Sequence, residues 1–131
     1  MTVVAEQQHV SMTRAAYDTV AESYADLVRD ELDGKHLEKA LLATFAESVD
    51  AGVVVDVGCG SGRIAGHLRR LGLAMTGIDL SPSMIDVARR EFPDVRFVVG
   101  AMQSLDMGDC TVSGIVAWYS IIHTPPAQLP Q

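Results

Sequence analysis

Residues 53–68 read VVVDVGCGSGRIAGHL, and here residue type and spacing together point to chemistry. An apolar run leads into Asp56, and Gly58, Gly60 and Gly62 then alternate with Cys59 and Ser61 ahead of a helical pattern. A glycine turn between strand and helix brings backbone N–H groups and the positive end of a helix beside a ligand. Dinucleotides use this geometry through G-x-G-x-x-G, which lets the backbone approach a pyrophosphate. The last glycine of that pattern is Arg63 here, so the match fails by one residue. Asp56, at the end of the first strand, would also repel a pyrophosphate lying nearby. An aminoacyl nucleoside with an ammonium, a sulfonium and no phosphate suits the carboxylate, and the loop N–H groups suit its carboxylate end.

Asp79 ends the following strand, 17 residues beyond Gly62, where an acidic side chain can accept both hydroxyls of a ribose. D-V-G-C-G-S-G followed by a helix, and then a strand ending in G-I-D-L-S, resemble the nucleotide-binding half of class I S-adenosylmethionine-dependent methyltransferases of the small-molecule type. The resemblance implies that Asp56, Gly58, Cys59, Gly60 and Gly62 cradle the methionine part of S-adenosyl-L-methionine and that Asp79 holds its ribose. It implies adenine packing against Leu80 and Met84, although Met84 is equally well placed to be core beside Ile85 and Ala88. In V-G-A-M-Q the family commonly has an acid where this chain has Ala101. That leaves Ala101 and Met102 for main-chain and apolar recognition of adenine, with Gln103 as a substitute for the acid.

The stretch A-W-Y-S-I-I-H-T-P-P resembles the end of the family's fourth strand, which implies that Ala117, Trp118 and Tyr119 face the methionine moiety and the substrate pocket. His123 and Tyr119 are the candidates for a catalytic role. A lone histidine, however, is more often a packed or capping residue than a base. The N-terminal A-Y-D-T-V-A-E-S-Y-A-D resembles a helix that lies over the cofactor, with Tyr17 and Tyr24 seven residues apart on one face. Arg63 either pairs with the cofactor carboxylate or sits on the helix surface.

Methyl transfer from a sulfonium is a direct displacement at carbon, and orientation of the reacting groups can contribute roughly 7–11 kcal/mol. The function implied is a methyltransferase acting on a small-molecule acceptor. Two alternatives stay open: a non-catalytic module that binds S-adenosylmethionine or regulates a partner, and an NAD-dependent oxidoreductase, which Asp56 and Arg63 oppose.

The elements that must position these residues follow from the hydrophobic period. Val53–Val57 is an apolar run broken only by Asp56, as in a strand buried on both faces. Arg63–Leu71 reads as a helix closed by Gly72, and Ala74–Asp79 as a strand. Ser81-Pro82-Ser83 reads as the cap and first-turn proline of a helix carrying Met84, Ile85, Val87 and Ala88 as far as Pro93. Val95–Val99 and Gly114–Tyr119 read as the third and fourth strands. Upstream, Tyr17, Val20, Tyr24, Leu27 and Val28 recur at helical steps between a Thr13 cap and a Gly34 stop. Leu37, Leu41, Phe45 and Val49 mark a second helix from about Lys35 to near Gly52, while residues 1–12 show no period and are expected to be flexible.

Strands alternating with helices predict an α/β fold with a parallel sheet and right-handed crossovers. With the resemblance, the expectation is one Rossmann-like three-layer α/β/α cofactor-binding domain over residues 1–131. Its N-terminal helices fall in 13–52, and its core in 53–131 has sheet order 3-2-1-4, truncated before strands 5–7. Strand 4 would then be an exposed edge, so either the chain is a fragment or another chain pairs with it. A homodimer covering that edge is the expectation if it is soluble as it stands.

Of the 131 residues 48% are hydrophobic, enough for a packed core. The net charge of −7, with no cluster of basic residues beyond pairs such as Arg69-Arg70 and Arg89-Arg90, argues against nucleic acid and membrane surfaces as partners. The opening residues have no signal-peptide pattern and no apolar run is long enough to span a membrane. Cys59 and Cys110 form neither a disulfide framework nor a metal-ligand set, so a cytoplasmic location with reduced thiols and no metal is expected.

Overall fold

Strands β1 (Val53–Val57) and β2 (Ala74–Asp79) form over the spans that their apolar runs predict. The structure is a computed structural model that describes residues 3–102, 104, 105, 107, 108, 111–120 and 126. Around the two strands lie α1 (Val3–Val28), α2 (His36–Ser48), α3 (Arg63–Arg70), α4 (Pro82–Glu91), β3 (Arg96–Val99) and β4 (Gly114–Val116). All strand pairs are parallel and the sheet order is β3-β2-β1-β4, a Rossmann-like arrangement. In this register Asp56 lies between Gly77 and Val116, and Asp79 beside Val99, so both carboxylates reach the carboxyl end of the sheet.

One face of the sheet carries the main core: Val54, Met75, Phe97 and Val116 pack with Ile64, Leu68, Ile85, Ala88 and Leu42. Phe97 fits beneath the loop because Gly77 and Gly62 leave room for its ring. A Cβ at either position would fall 2.5 or 2.7 Å from that ring. On the other face Val55, Val57 and Ile78 are met by Met102, Leu105, Met107 and Val112, none of which belongs to a helix. Among the described residues no helix is long and apolar enough to cross a membrane.

The structure differs from the sequence expectation in four places. Helix α1 begins at Val3, so Thr13 is interior to it rather than its cap, and residues 3–12 are helical. That segment turns only His9 and Val10 toward the fold's cavity, which leaves no apolar period to read. The buried face of α1 is carried by Ala21, Ala25 and Val28, while Val20 and Leu27 are exposed. Small alanines let α1 approach Met84 and Val87 of α4 closely. In α2 the inward face is Leu42, Phe45 and Ala46, continued by Val49 just past its end, with Leu37 and Leu41 exposed. Finally, β4 stops at Val116, and Tyr119 adopts a left-handed conformation (φ 55°) that no strand accommodates.

Candidate functional site

The carboxyl ends of β1, β2 and β4 open into one cavity. Asp56 and the loop residues Gly58, Cys59, Gly60 and Ser61 form its floor, with Arg63 and Ile64 at the start of α3. Asp79 and Leu80 contribute from β2, Gly100 and Met102 from beyond β3, and Trp118, Tyr119 and Ser120 from beyond β4. Tyr17 and Tyr24 of α1 cover it, their rings meeting edge to face at 6.0 Å.

Asp56 is 1% exposed, and neither of its carboxylate oxygens has a hydrogen-bond partner. Burial pushes its pKa up to about 7, and the nearby Asp79 carboxylate adds to the rise. The Arg63 guanidinium and the Ala65 N–H pull the other way, although the latter makes no hydrogen bond to either oxygen. Ser120 Oγ is the third buried side-chain polar atom without a partner among the described residues, and it too belongs to the cavity wall. Orphaned buried polar atoms are rare in folded proteins because each forfeits its hydration. Three on one cavity wall make it the candidate site, and a buried carboxylate there suits a cation.

Asp79 is held differently. Its Oδ2 accepts the Gly60 N–H at 2.8 Å and its Oδ1 the Ser81 N–H at 3.0 Å, which binds the glycine loop to the end of β2. Three more of the loop's amides are engaged within the protein. Gly58 and Cys59 donate to the Ile78 carbonyl at 2.7 and 3.0 Å, and Gly62 donates to the Cys59 carbonyl at 3.0 Å. These four N–H groups therefore shape the loop and do not stand ready for a ligand carboxylate, as its sequence suggested. Burial pushes the Cys59 thiol well above its usual pKa, so it is a neutral wall group and not a nucleophile.

Helix α1 is fastened over the cavity by polar ties. Arg14 Nε donates to the Leu80 carbonyl at 3.0 Å. Asp18 accepts from the Ser81 hydroxyl and from the Ser83 N–H, and Arg90 Nη2 donates to both carboxylate oxygens of Glu22 at 2.8 and 3.0 Å. Burial raises the Tyr17 pKa, with Tyr24 and Asp79 adding to it, so its phenol is neutral.

Of the site residues read from the sequence, Tyr17, Tyr24, Asp56, Gly58, Cys59, Gly60, Arg63, Asp79, Leu80, Met102, Trp118 and Tyr119 lie on this cavity. Three do not. Met84 is fully buried between α1 and α4, where Ala21 and Ala25 cover it. Ala101 lines a separate groove beside β2 and β3, because the chain turns away after Gly100. Ala117 is exposed beyond the end of β4 and is not part of the wall. Gln103 and His123 lie outside the described residues. The sequence reading missed His9, Val10, Thr13, Ser61, Ile64, Gly100 and Ser120. Ser61 and Ile64 were signalled by the loop itself, and Ser120 by its place next to Tyr119; the three on α1 carried no local signal.

A Rossmann-like sheet with a glycine loop, two converging carboxylates and a helical cover defines a small-ligand α/β domain. Residues 54–131 match the family described as methyltransferase domain, and the chain belongs to that family. It is 36% identical over 90 residues to the demethylmenaquinone methyltransferase of Tropheryma whipplei, covering 66% of this chain and 37% of that protein. It is 30% identical over 112 residues to the magnesium-protoporphyrin O-methyltransferase of Rhodobacter capsulatus, covering 80% of this chain and 49% of that one. The solved structure of a TehB-like SAM-dependent methyltransferase from Corynebacterium glutamicum superposes with a TM-score of 0.63 at 32% identity, covering 78% of this chain and 56% of that chain. This chain thus spans less than half the length of either curated relative.

Proposed function

We propose that this chain is the cofactor-binding portion of an S-adenosylmethionine-dependent methyltransferase acting on a small-molecule acceptor. The observation that carries this reading is the set of buried, unpartnered atoms on one wall, Asp56 Oδ1, Asp56 Oδ2 and Ser120 Oγ. The Asp56 carboxylate complements a cationic amino-acid end, and Asp79, on the same cavity wall at the end of β2, accepts the ribose hydroxyls. Leu80 and Met102 offer apolar surface to adenine, while Trp118 and Tyr119 border the side from which an acceptor approaches. When bound, S-adenosylmethionine supplies an activated methyl on sulfur. The residues around it orient that methyl, exclude water and leave the acceptor side open between α1 and the segment after β4.

The acidic chain, with its net charge of −7, favours a small molecule over nucleic acid, and its two cysteines agree with a reducing cytoplasm. Among the described residues β4 is the outermost strand beside β1, with Ile115 54% exposed, which supports a second copy of the chain pairing there. Sedimentation over a range of concentrations tests that pairing.

Calorimetric titration with S-adenosylmethionine and, separately, NAD tests the main reading. Binding of the first alone is the expected result; binding of NAD, or of neither, overturns it.

A further inference from the structure

Arg63 is the first residue of α3, so its guanidinium stands at the positive end of a helix, where a cation is disfavoured. Its fixed partner comes from far away in the sequence. Glu31, in the turn between α1 and α2, places Oε2 2.8 Å from Arg63 Nη2, and the pair is largely shielded from solvent. The other oxygen, Oε1, takes Lys35 Nζ at 2.5 Å, and these bonds hold the Glu31 carboxyl below its usual pKa. Leu32, the next residue, packs against the main core and seats the turn.

The loop makes this pairing consequential. Its Gly58, Cys59, Gly60 and Gly62 N–H groups are engaged within the protein, and Arg63 is the guanidinium among the described residues on the cavity wall. Arg63 already favours the charged form of Asp56 across the same cavity. Glu31 is the side-chain acceptor that fixes the guanidinium's place on that wall.

We propose that Glu31 is a positioning residue that holds Arg63 against the α1–α2 turn, so that the guanidinium is oriented to meet the carboxylate of the ligand's amino-acid end. The inference rests on the reading of the cavity as an S-adenosylmethionine site. Glu31 itself touches no ligand in this arrangement.

The test compares S-adenosylmethionine with decarboxylated S-adenosylmethionine, which keeps the sulfonium and the amine. By calorimetry, Glu31→Gln should weaken the first by about tenfold and leave the second within about twofold, as expected for a charge-assisted contact made through Arg63. A purely structural role for Glu31 would weaken both ligands alike, and that result overturns the inference. So would an unchanged affinity for the first. Should Glu31→Gln fold poorly, the coupling is read in an Arg63→Gln background. There, adding Lys35→Gln, which unseats Glu31 from its other partner, should cost nothing further, whereas in the Arg63 protein it should weaken only the carboxylate-bearing ligand. An equal loss in both backgrounds overturns the inference. If the unsubstituted chain binds neither compound, the cofactor reading fails and takes this inference with it; equal losses with intact binding sink the inference alone.

Discussion

Gly60 donates its backbone N–H to Oδ2 of Asp79 at 2.8 Å, so the acid at the end of β2 is also the clasp of the glycine loop. Substitution at Asp79 therefore has two effects that can be separated. Asp79→Ala removes the acceptor for both Gly60 and Ser81, and should cost about 1–3 kcal/mol in stability. Asp79→Asn keeps one acceptor but turns an amide N–H toward a backbone N–H, and should bind S-adenosylmethionine at least about tenfold more weakly even where it melts close to the unsubstituted protein. Denaturation and calorimetry on both variants check this; full affinity in Asp79→Asn would remove Asp79 from the ligand site.

Asp56 should make both stability and binding depend on pH. Its pKa rises from 3.8 to about 7 on folding, so between these values the folded chain holds a proton that the unfolded chain has released. Stability therefore falls as pH climbs through that window and levels off above it, with Asp56 costing a few kcal/mol at pH 8. Asp56→Asn should flatten the slope and raise stability at pH 8 while weakening a cationic ligand. Asp79, Arg63 and the Cys59 thiol are the ionisable groups whose influence on Asp56, or its influence on them, the structure resolves. A bound cation favours the carboxylate, so at pH 6.5 binding should release a proton. Calorimetry in buffers of different ionisation enthalpy reads that release directly, and its absence would mean that Asp56 does not meet the cation.

Much of the site was legible because its signals are local. The spacing of Asp56, Gly58, Gly60 and Gly62 specifies a strand, a turn and a helix start within ten residues, and Ser81-Pro82 marks the start of α4 by itself. What could not be read depends on distant partners or on small side chains. Ala21 and Ala25 carry the α1–α4 contact without a large apolar residue to reveal it. His9 faces the cavity only because α1 extends past α4, and nothing in MTVVAEQQHV announces that extension. The pairing of Glu31 with Arg63 joins two surface-type residues whose separation in sequence gives no hint of contact. Met84 was ambiguous between core and ligand wall, and its place under α1 resolves it as core.

Ser120 and Gly58 face each other across the loop and should respond in opposite ways. The Ser120 hydroxyl is buried without a partner, so Ser120→Ala should leave stability unchanged or raise it slightly while weakening ligand binding. A Cβ on Gly58 would fall 2.3 Å from Ser120 Cβ, and the backbone there has φ 71°. Gly58→Ala should therefore destabilise the fold by at least about 1–2 kcal/mol. Thermal denaturation with and without S-adenosylmethionine distinguishes the two; a destabilising Ser120→Ala would mean that the hydroxyl does have a partner within the protein.

Asp18 and Ser81 should control how firmly α1 closes over the site. Ser81 Oγ caps α4 by accepting the Met84 N–H at 3.2 Å and donates its own proton to Asp18, which also accepts the Ser83 N–H at 3.1 Å. Ser81→Ala should cost about 1–2 kcal/mol, as the loss of an N-cap does elsewhere. The Asp18 carboxyl lies below its usual 3.8, first because of the Ser81 hydrogen bond and then, against a desolvation penalty, through Ser83 and Arg14. A lowered folded pKa means stability that is fully present above about pH 4 and lost as pH falls through the folded value. Urea denaturation between pH 2.5 and 7 should show that loss in the unsubstituted chain and a shallower one in Asp18→Asn. Identical slopes in the two proteins would show that the Asp18 carboxylate adds nothing to the closure and that α1 is held to α4 by its other contacts, Ala21, Ala25, the two tyrosines and the Glu22–Arg90 pair.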